Sequence, residues 1–550
     1  MGPNTEPPPR PPDLDALKFE RKPMVRWLDP AVLADAGLRV VLSSVFGAYA
    51  DKRESQGITE EHVHDYSTAG EPFWLDFVAD LGDGFDSTYS MACLLGRNKL
   101  LPTGHDKYLP RGSALVMGGD EVYPTADRLE YEARFRGPYE AAFPWAPPGS
   151  QPDLFAIPGN HDWYDGLTNF GRFFCSGRSI GGWRTSQRRS YFALKLPHRW
   201  WLLAIDIQLD TYIDDPQLDY FRGIGLQPGD KVILVTGKPS WVKVEDGLPL
   251  ERQPESFKNL QYFRDQVLSP AEVSVPVTLT GDLHHYCRYH AEDGSHLITA
   301  GGGGAYLYPT HTMRETLELP GPGPPTAYRC DDSLFPSRDE SRKLVFGALK
   351  LTRHAPRLLV LVAFFYALFG ASLYWALDGR PGWWVGVGAV GLLLLMALVT
   401  YTALKGVARL VVGALHTAAH LAAAAAPAAV LDLAADGWGW GAIAAAVSAL
   451  LGFLLGGVIF GTYLILIHKK GPEHPHANDV LACQGIPDYK NFLRLRIDET
   501  RLTIFPLGVR KVPRKWEADQ ANDDPGSPWL KPVDRELEVE LIEDPIKVEN

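Results

Sequence analysis

Cysteine is scarce in this chain: five in 550 residues, Cys93, Cys175, Cys287, Cys330 and Cys483, scattered without paired spacing. That pattern argues against a disulfide framework and fits a reducing compartment. There is no basic excess either. The net charge is -12, which gives no reason to expect a nucleic-acid partner or binding to an anionic membrane surface. The opening stretch, MGPNTEPPPRPPDLDA, lacks an apolar core of signal-peptide length. Glu6 leaves its Met-Gly start short of a myristoylation pattern. Proline-rich and polar, residues 1–39 read as a disordered lead-in. No internal repeat is evident.

What the chain has in abundance is apolar sequence in long blocks. Up to about residue 354, short apolar runs alternate with Gly/Pro/Asp turns, in a composition (22% charged, 45% hydrophobic) ordinary for a folded chain. Four apolar blocks follow, near 355–377, 383–404, 410–434 and 440–467. Each approaches or exceeds the roughly 20 residues that span a bilayer as a helix. Trp383, Trp384, Trp438 and Trp440 stand near block ends, where interfacial anchors belong. The alternative, buried core helices, does not suit four such blocks in series. Arg342, Lys343, Lys350, Arg353 and Arg357 precede the first block, Lys405 and Arg409 separate the second and third, and Lys469 and Lys470 follow the fourth. The positive-inside rule then puts both termini in the cytoplasm, in an integral protein of the cell membrane. Past the blocks, in residues 468–550, NFLRLRIDETRLTIFPLGV and RELEVELIE alternate polar and apolar residues. They predict a short cytoplasmic β tail that begins with a hairpin.

Before the blocks, four stretches share one grammar, an apolar run and then a turn bearing Asp, Asn or His: LDFVADLGDG (75–84), ALVMGGDEVYP (114–124), LFAIPGNHDWYDG (154–166) and VTLTGDLHHY (277–286). Unalternating apolar runs are what buried strands look like, and open α/β sheets bind ligands at strand carboxyl ends. Asp, Asn and His together are the donors of a Mn, Fe or Zn centre. A single Asp after a strand is more often a turn former or cap. GNHD is more specific, and the ordered set more so.

That set resembles the calcineurin-like metallophosphoesterase superfamily, and in two motifs it is similar to the purple acid phosphatase branch. The branch opens with Asp-X-Gly, here Asp80-Leu81-Gly82, and continues with Gly-Asp-X-X-Tyr, here Gly119-Asp120-Glu121-Val122-Tyr123. Gly159-Asn160-His161-Asp162 follows, and IDDPQLDYF (213–221) resembles the family's Asp-X-X-Gln helix start. The resemblance covers roughly residues 40 to 312. It implies an α/β fold, an αββα metallophosphoesterase sandwich over residues 40–340, and says nothing of the all-α four-helix transmembrane region (355–467) or the β tail read above. It further implies two metal ions. One is held by Asp80, Asp120, Tyr123 and His284; the other by Asp120 as bridge, Asn160 and the residue at position 282. His161 then faces the substrate and protonates or orients the leaving oxygen, with Asp162 to hold its ring. The implied reaction is hydrolysis of a phosphomonoester or phosphodiester, on a phosphorylated small molecule or a lipid.

Two departures fall on the same metal. The strand-end histidine expected in a His-X-Pro context is Gly237, in VILVTGKPSW, and the first histidine of the last motif is Asp282, in LTGDLHHY. A carboxylate is itself a ligand, and three of them favour Mn, Fe or Mg over Zn. His285, His311, His62 and His64 are candidates to fill the gap. GGGGAYLYPTH (301–311) reads either as backbone closely approaching the metal centre, with His311 a substrate contact, or as a flexible surface loop. Arg188 and Arg189 offer phosphate binding or plain solvation. His416 and His420, four apart in the third block, suggest haem or metal ligation or, more blandly, an interhelical hydrogen bond. HKKGPEHPHAND (468–479) reads as a polar linker. The competing view of the whole is a degenerate, non-catalytic sandwich that binds a ligand while the helices act as sensor or transporter.

Overall fold

The computed structural model describes residues 6–35, 37, 62–207, 212–321, 323–434, 437–470 and 474–550. The chain divides into two compact units: Met1–Val25, Ala36–Arg338 and Pro487–Asn550 in one, Arg26–Asp35 and Asp339–Ile486 in the other.

In the first unit, β1 (Phe73–Val78), β2 (Ala114–Met117) and β3 (Asp153–Ala156) lie parallel in one sheet. Helix α1 (Phe85–Gly96) follows β1. The other sheet is built from β4 (Phe192–Lys195), β5 (Trp200–Ile205), β6 (Lys231–Thr236), β7 (Ser274–Thr280), β8 (Tyr286–Ala291) and β9 (His296–Ala300), in the order β4-β5-β6-β7-β9-β8. Strands β5, β6, β7 and β9 run parallel. β10 (Thr326–Arg329) and β11 (Leu334–Phe335) both pair with β8.

The alternation of side chains along each strand sorts them into layers. Phe73, Leu75 and Phe77 meet Leu202, Ala204, Ile233, Val235, Val277 and Leu279 in a core shared by both sheets. The opposite face of the first sheet packs Leu115, Met117 and Leu154 against α1 and the rings of Phe135, Tyr139 and Phe174. That of the second packs Trp201, Leu203, Val232 and Leu234 against Leu218 and Phe221 of α2 (Asp215–Gly223). Helices thus cover the outer faces of two stacked sheets. The α2 start foreseen at IDDPQLDYF is there, and Gln217 hooks the backbone of Asp206 through both ends of its amide (2.9 and 3.2 Å).

The tail is not a separate appendage. β12 (Lys490–Ile497) and β13 (Arg501–Val509) form the expected hairpin, and β12 pairs antiparallel with β1, giving the order β13-β12-β1-β2-β3. In RELEVELIE only Glu540–Leu541 is a strand. Arg494 on β12 clamps Asp76 on β1 with two bonds of 2.6 and 2.9 Å and a third to the Leu109 carbonyl, all fully buried. Removing one partner strands a buried charge. Arg494→Leu should therefore cost about 3–5 kcal/mol in a denaturant melt, and Asp76→Asn with Arg494→Met should recover most of it.

The lead-in also departs from expectation. Residues 1–5, 36, 38 and 39 lie outside the described residues, but residues 6–25 are docked rather than disordered. Arg10 donates to the carbonyls of Pro528 (2.9 Å) and Asp519 (3.2 Å), Leu14, Leu17 and Phe19 pack on the core, and Val25 N–H donates to Asp83 (2.7 Å). Proline removes helix as an option but not docking, once a guanidinium and an aromatic ring supply anchors.

In the second unit each apolar block is one helix: α3 (Pro356–Leu377), α4 (Trp383–Tyr401), α5 (Gly406–Asp432) and α6 (Trp438–Lys470), with mean hydropathies of 2.0, 2.1, 1.4 and 2.4. Their large apolar side chains point outward: Phe364 and Leu368, Leu392 and Met396, Leu410 and Leu415, Leu450 and Leu454 are exposed. Ala444, Ser448, Gly452 and Gly456, every fourth residue of α6, are buried and leave room for Tyr366 and Val362 of α3. An apolar exterior around a small and polar interior suits lipid rather than water, and this is an integral membrane protein. His420 Nδ1 meets the Tyr366 hydroxyl of α3 at 2.8 Å and His420 Nε2 meets His416 Nε2 at 3.2 Å, the interhelical hydrogen bond of the blander reading. Residues 471–473 of the supposed linker lie outside the described residues; in the rest, His476 is pinned between Tyr463 (2.9 Å) and Asp479 (2.6 Å).

Candidate metal centre

Strands β1, β2 and β3 stop at nearly the same level, Val78 opposite Met117 and Met117 opposite Ala156. Their carboxyl ends deliver Asp80, Asp120 and Asn160–Asp162 to one edge, and β7 delivers Asp282 and His284. Asp80, Asp120 and Asp282 all have left-handed backbone, with φ of 59°, 55° and 68°. That region is costly for residues with a Cβ, Asp among the least so, and it gathers at functional sites. The turns close because glycine flanks them. A methyl group on Gly159 would fall inside the Asp120 carboxylate, and one on Gly281 would come within 2.6 Å of Asp80 Oδ2.

Four of the expected ligands converge. The Tyr123 hydroxyl lies 3.0 Å from Asp80 Oδ1, 3.0 Å from Asp120 Oδ2 and 3.0 Å from His284 Nε2. All four residues are buried. Burial, then the charges of Asp120 and Asp282, push the Asp80 carboxyl well above the usual range. Burial, then Asp162 and Asp282, do the same to Asp120. Burial, then Lys490, holds the His284 imidazole well below its ordinary value. No family model matches the chain, and no curated protein matches it.

Among the described residues, no three His, Cys, Asp or Glu side chains stand as a ready-made metal cage; the Tyr123 hydroxyl occupies the point where the others converge. The donor set nonetheless fits a cation. Two buried carboxylates, a phenol and a neutral imidazole supply three oxygens and one nitrogen, and a cation among them would offset the repulsion that now favours protonated acids. The second position fits poorly. Gly237 brings no donor, and Asn160 Nδ2 is turned to the Tyr164 hydroxyl (3.1 Å). The backbone N–H of Asp282 donates to both oxygens of Asp80 (3.1 and 2.9 Å), and its charge bears on Asp80 and Asp120 alike.

His161 N–H donates to Asp120 Oδ1 (2.9 Å), and the His161 ring lies tilted beside Tyr123 and edge-on to Tyr164, with centroids 4.4 and 4.9 Å away. Its Nδ1 meets the Pro124 carbonyl at 2.9 Å. A carbonyl only accepts, so Nδ1 carries the proton and Nε2 is the accepting nitrogen. Burial lowers the ring to about 4. A neutral ring of this tautomer leaves Nε2 as an acceptor, able to orient a hydroxyl or water. Asp162, expected to hold that ring, is engaged otherwise. Its carboxylate accepts from Gly159 N (2.8 Å), Glu121 N (3.3 Å) and the Tyr131 hydroxyl, bracing the GNHD turn against the Asp120 turn.

The glycine run is buried against the Asp80 turn, with Gly303 N donating to Ala79 O (2.8 Å) and Ala305 N to Asp80 O (2.9 Å). Of the two readings of that loop, close approach is the one observed. It sets Tyr306 edge-on to His284 with centroids 4.5 Å apart. His285 Nδ1 faces the Tyr308 carbonyl (3.3 Å), His311 sits on the short turn Thr310–Thr312, and His62 and His64 pack on each other, His64 also on Phe155. Arg189 is buried over the rings of Tyr191 and Tyr220, sharing a small pocket with His62 and His64, while Arg188 is exposed.

One residue escaped sequence reasoning. Lys490, the first residue of β12, is fully buried and donates to the Ala305 carbonyl behind Asp80. Burial lowers its ammonium to about 8 against the pull of Asp83, Asp488 and Asp80. The only signal was a lysine opening an otherwise alternating strand, and nothing local says which strand it will join.

Proposed function

We propose that the first unit is a metal-dependent phosphoric ester hydrolase of the calcineurin-like metallophosphoesterase type, an αββα sandwich held at a membrane by the four helices. The observation that carries this reading is the meeting of Asp80, Asp120, Tyr123 and His284 around one point, from three strand ends and the turn after β2. These four would hold the first ion, with Mn, Fe or Mg favoured over Zn by the oxygen-rich set. When bound, such an ion polarises a phosphoryl oxygen and acidifies water. Asp120, Asn160 and Asp282 would hold a second ion only weakly. His161, through Nε2, orients the water or the ester oxygen at the open edge. The substrate is a phosphomonoester or phosphodiester, on a small molecule or a lipid. The Lys/Arg bias of the flanks and loops places both termini in the cytoplasm at the cell membrane.

Gly237 favours a second reading, a degenerate sandwich that binds a phosphorylated ligand without turning it over. The test uses the full chain in detergent, prepared without chelator. Metal per chain is measured alongside hydrolysis of aryl phosphate mono- and diesters. At least one retained ion, with turnover that rises on adding Mn²⁺, is the expected result. No turnover with added Mn²⁺ or iron sinks the hydrolase and leaves the binding module.

A further inference from the structure

The scattered cysteines contain one close pair. Cys287 lies on β8, three residues after His284, and Cys330 directly follows β10; their sulfurs are 3.8 Å apart, and both residues are buried. In the β8–β10 register His290 faces Arg329 and Ala291 faces Tyr328. Extended by one residue, it sets Cys330 opposite Tyr289, so Cys330 is the diagonal neighbour of Cys287 on one face of the sheet. A disulfide needs the sulfurs at about 2.05 Å, so they must close by nearly half their separation. β8 is held on both sides, by β9 and by β10 and β11. The stretch from Cys330 to Leu334 is a tight turn, tied by Asp332 N–H to the Cys330 carbonyl (2.9 Å) and Leu334 N–H to the Asp332 carbonyl (2.7 Å), so the movement of closure is shared with β8.

We propose that Cys287 and Cys330 are a modification site, a dithiol that a peroxide converts reversibly to a disulfide and that thereby governs the candidate centre. The Cys330 thiolate attacks the peroxide O–O bond, giving a sulfenic acid and releasing hydroxide. The Cys287 thiol then displaces water from that sulfur, so two thiols lose two electrons and two protons to one peroxide. Cys330 is the attacking sulfur. The hydrogen bond from Cys287 and the nearby Arg338 lower its thiol, whereas burial raises that of Cys287. Closing the bond pulls on β8 at Cys287 and displaces His284 at the head of the same segment. This last consequence, a loss of hydrolysis, rests on the proposed function.

The experiment treats the full chain in detergent with hydrogen peroxide, alkylates the remaining thiols and measures intact mass, peptide linkage and aryl phosphate turnover. The expected result is a loss of about 2 Da before alkylation, two fewer alkylated thiols and a linked pair of peptides carrying residues 287 and 330. Turnover falls severalfold and dithiothreitol restores it, while Cys330→Ser keeps its turnover under the same treatment. Five thiols still alkylatable after peroxide, linkage to another cysteine, or a clean 287–330 link with unchanged turnover would each overturn the proposal. If the reduced protein hydrolyses nothing, the proposed function fails. The mass measurement and the rise in melting temperature that a closed loop brings then decide the disulfide alone.

Discussion

Asp120→Asn should yield a protein that folds as well as the parent yet has lost its metal and at least about a hundredfold of its ester hydrolysis. Asparagine matches the aspartate in size. Its carbonyl oxygen can still accept from His161 N–H or from the Tyr123 hydroxyl, the two donors that Asp120 satisfies at 2.9 and 3.0 Å. What disappears is the capacity to ionise, which burial and two neighbouring carboxylates already oppose. The melting temperature without metal should therefore stay level or rise, the familiar trade between a strained site and stability. A changed neighbour of a metal ligand typically costs 10- to 100-fold in affinity or activity, and the ligand expected to bridge both positions should cost more. Metal content, turnover and melting temperature on one preparation separate this outcome from simple misfolding. A variant that loses activity only because it unfolds would contradict the role assigned to Asp120.

The second large effect concerns where the domain ends. A chain stopped after residue 338 should fail to fold, whereas one in which residues 339–486 are replaced by a short flexible linker should be soluble and folded. Phe492, Leu493, Leu495, Ile497, Leu502, Ile504, Phe505, Leu507 and Val509 on β12 and β13 are all buried. At about 1.5–3 kcal/mol each they contribute roughly 14–27 kcal/mol as an upper bound. A folded domain has only about 5–15 kcal/mol of net stability. The truncation also leaves Asp76 without Arg494 and the Ala305 carbonyl without Lys490. The excision keeps both, and its ends lie close, for the rings of Phe335 and Tyr489 are 5.5 Å apart. A linker of about eight residues reaches roughly 25 Å, ample for the gap. Expression, gel filtration and amide-exchange protection of β1 distinguish the two chains.

Those two predictions mark where the sequence could be read and where it could not. The turns after β1, β2, β3 and β7 were legible because a strand, its terminating glycine and its polar residue are neighbours in sequence. Four bilayer-length helices were legible for the same reason. The hairpin of β12 and β13 was visible as alternation, but its partner β1 was not. Alternation fixes which side chains share a face, not which edge receives them, and the Arg494–Asp76 contact spans 418 residues. Asp162 shows the limit at shorter range. GNHD marks a tight polar turn, but only the fold shows that its carboxylate serves Tyr131 and two backbone amides while Pro124 holds the histidine.

Because β12 is hydrogen-bonded to β1, the chain cannot finish its first sheet until the membrane segment has been made. At about 5–20 residues per second, the roughly 400 residues between the two strands take tens of seconds to synthesise. Throughout that interval β1 offers an open edge, the kind that recruits stray strands. The order of synthesis also makes the sheet an inspector of insertion. A chain that has threaded an odd number of helices delivers β12 and β13 to the wrong side of the bilayer, where β1 is out of reach. Only a chain that has threaded an even number of helices can close the sheet, bury Lys490 behind Asp80 and complete its own candidate centre.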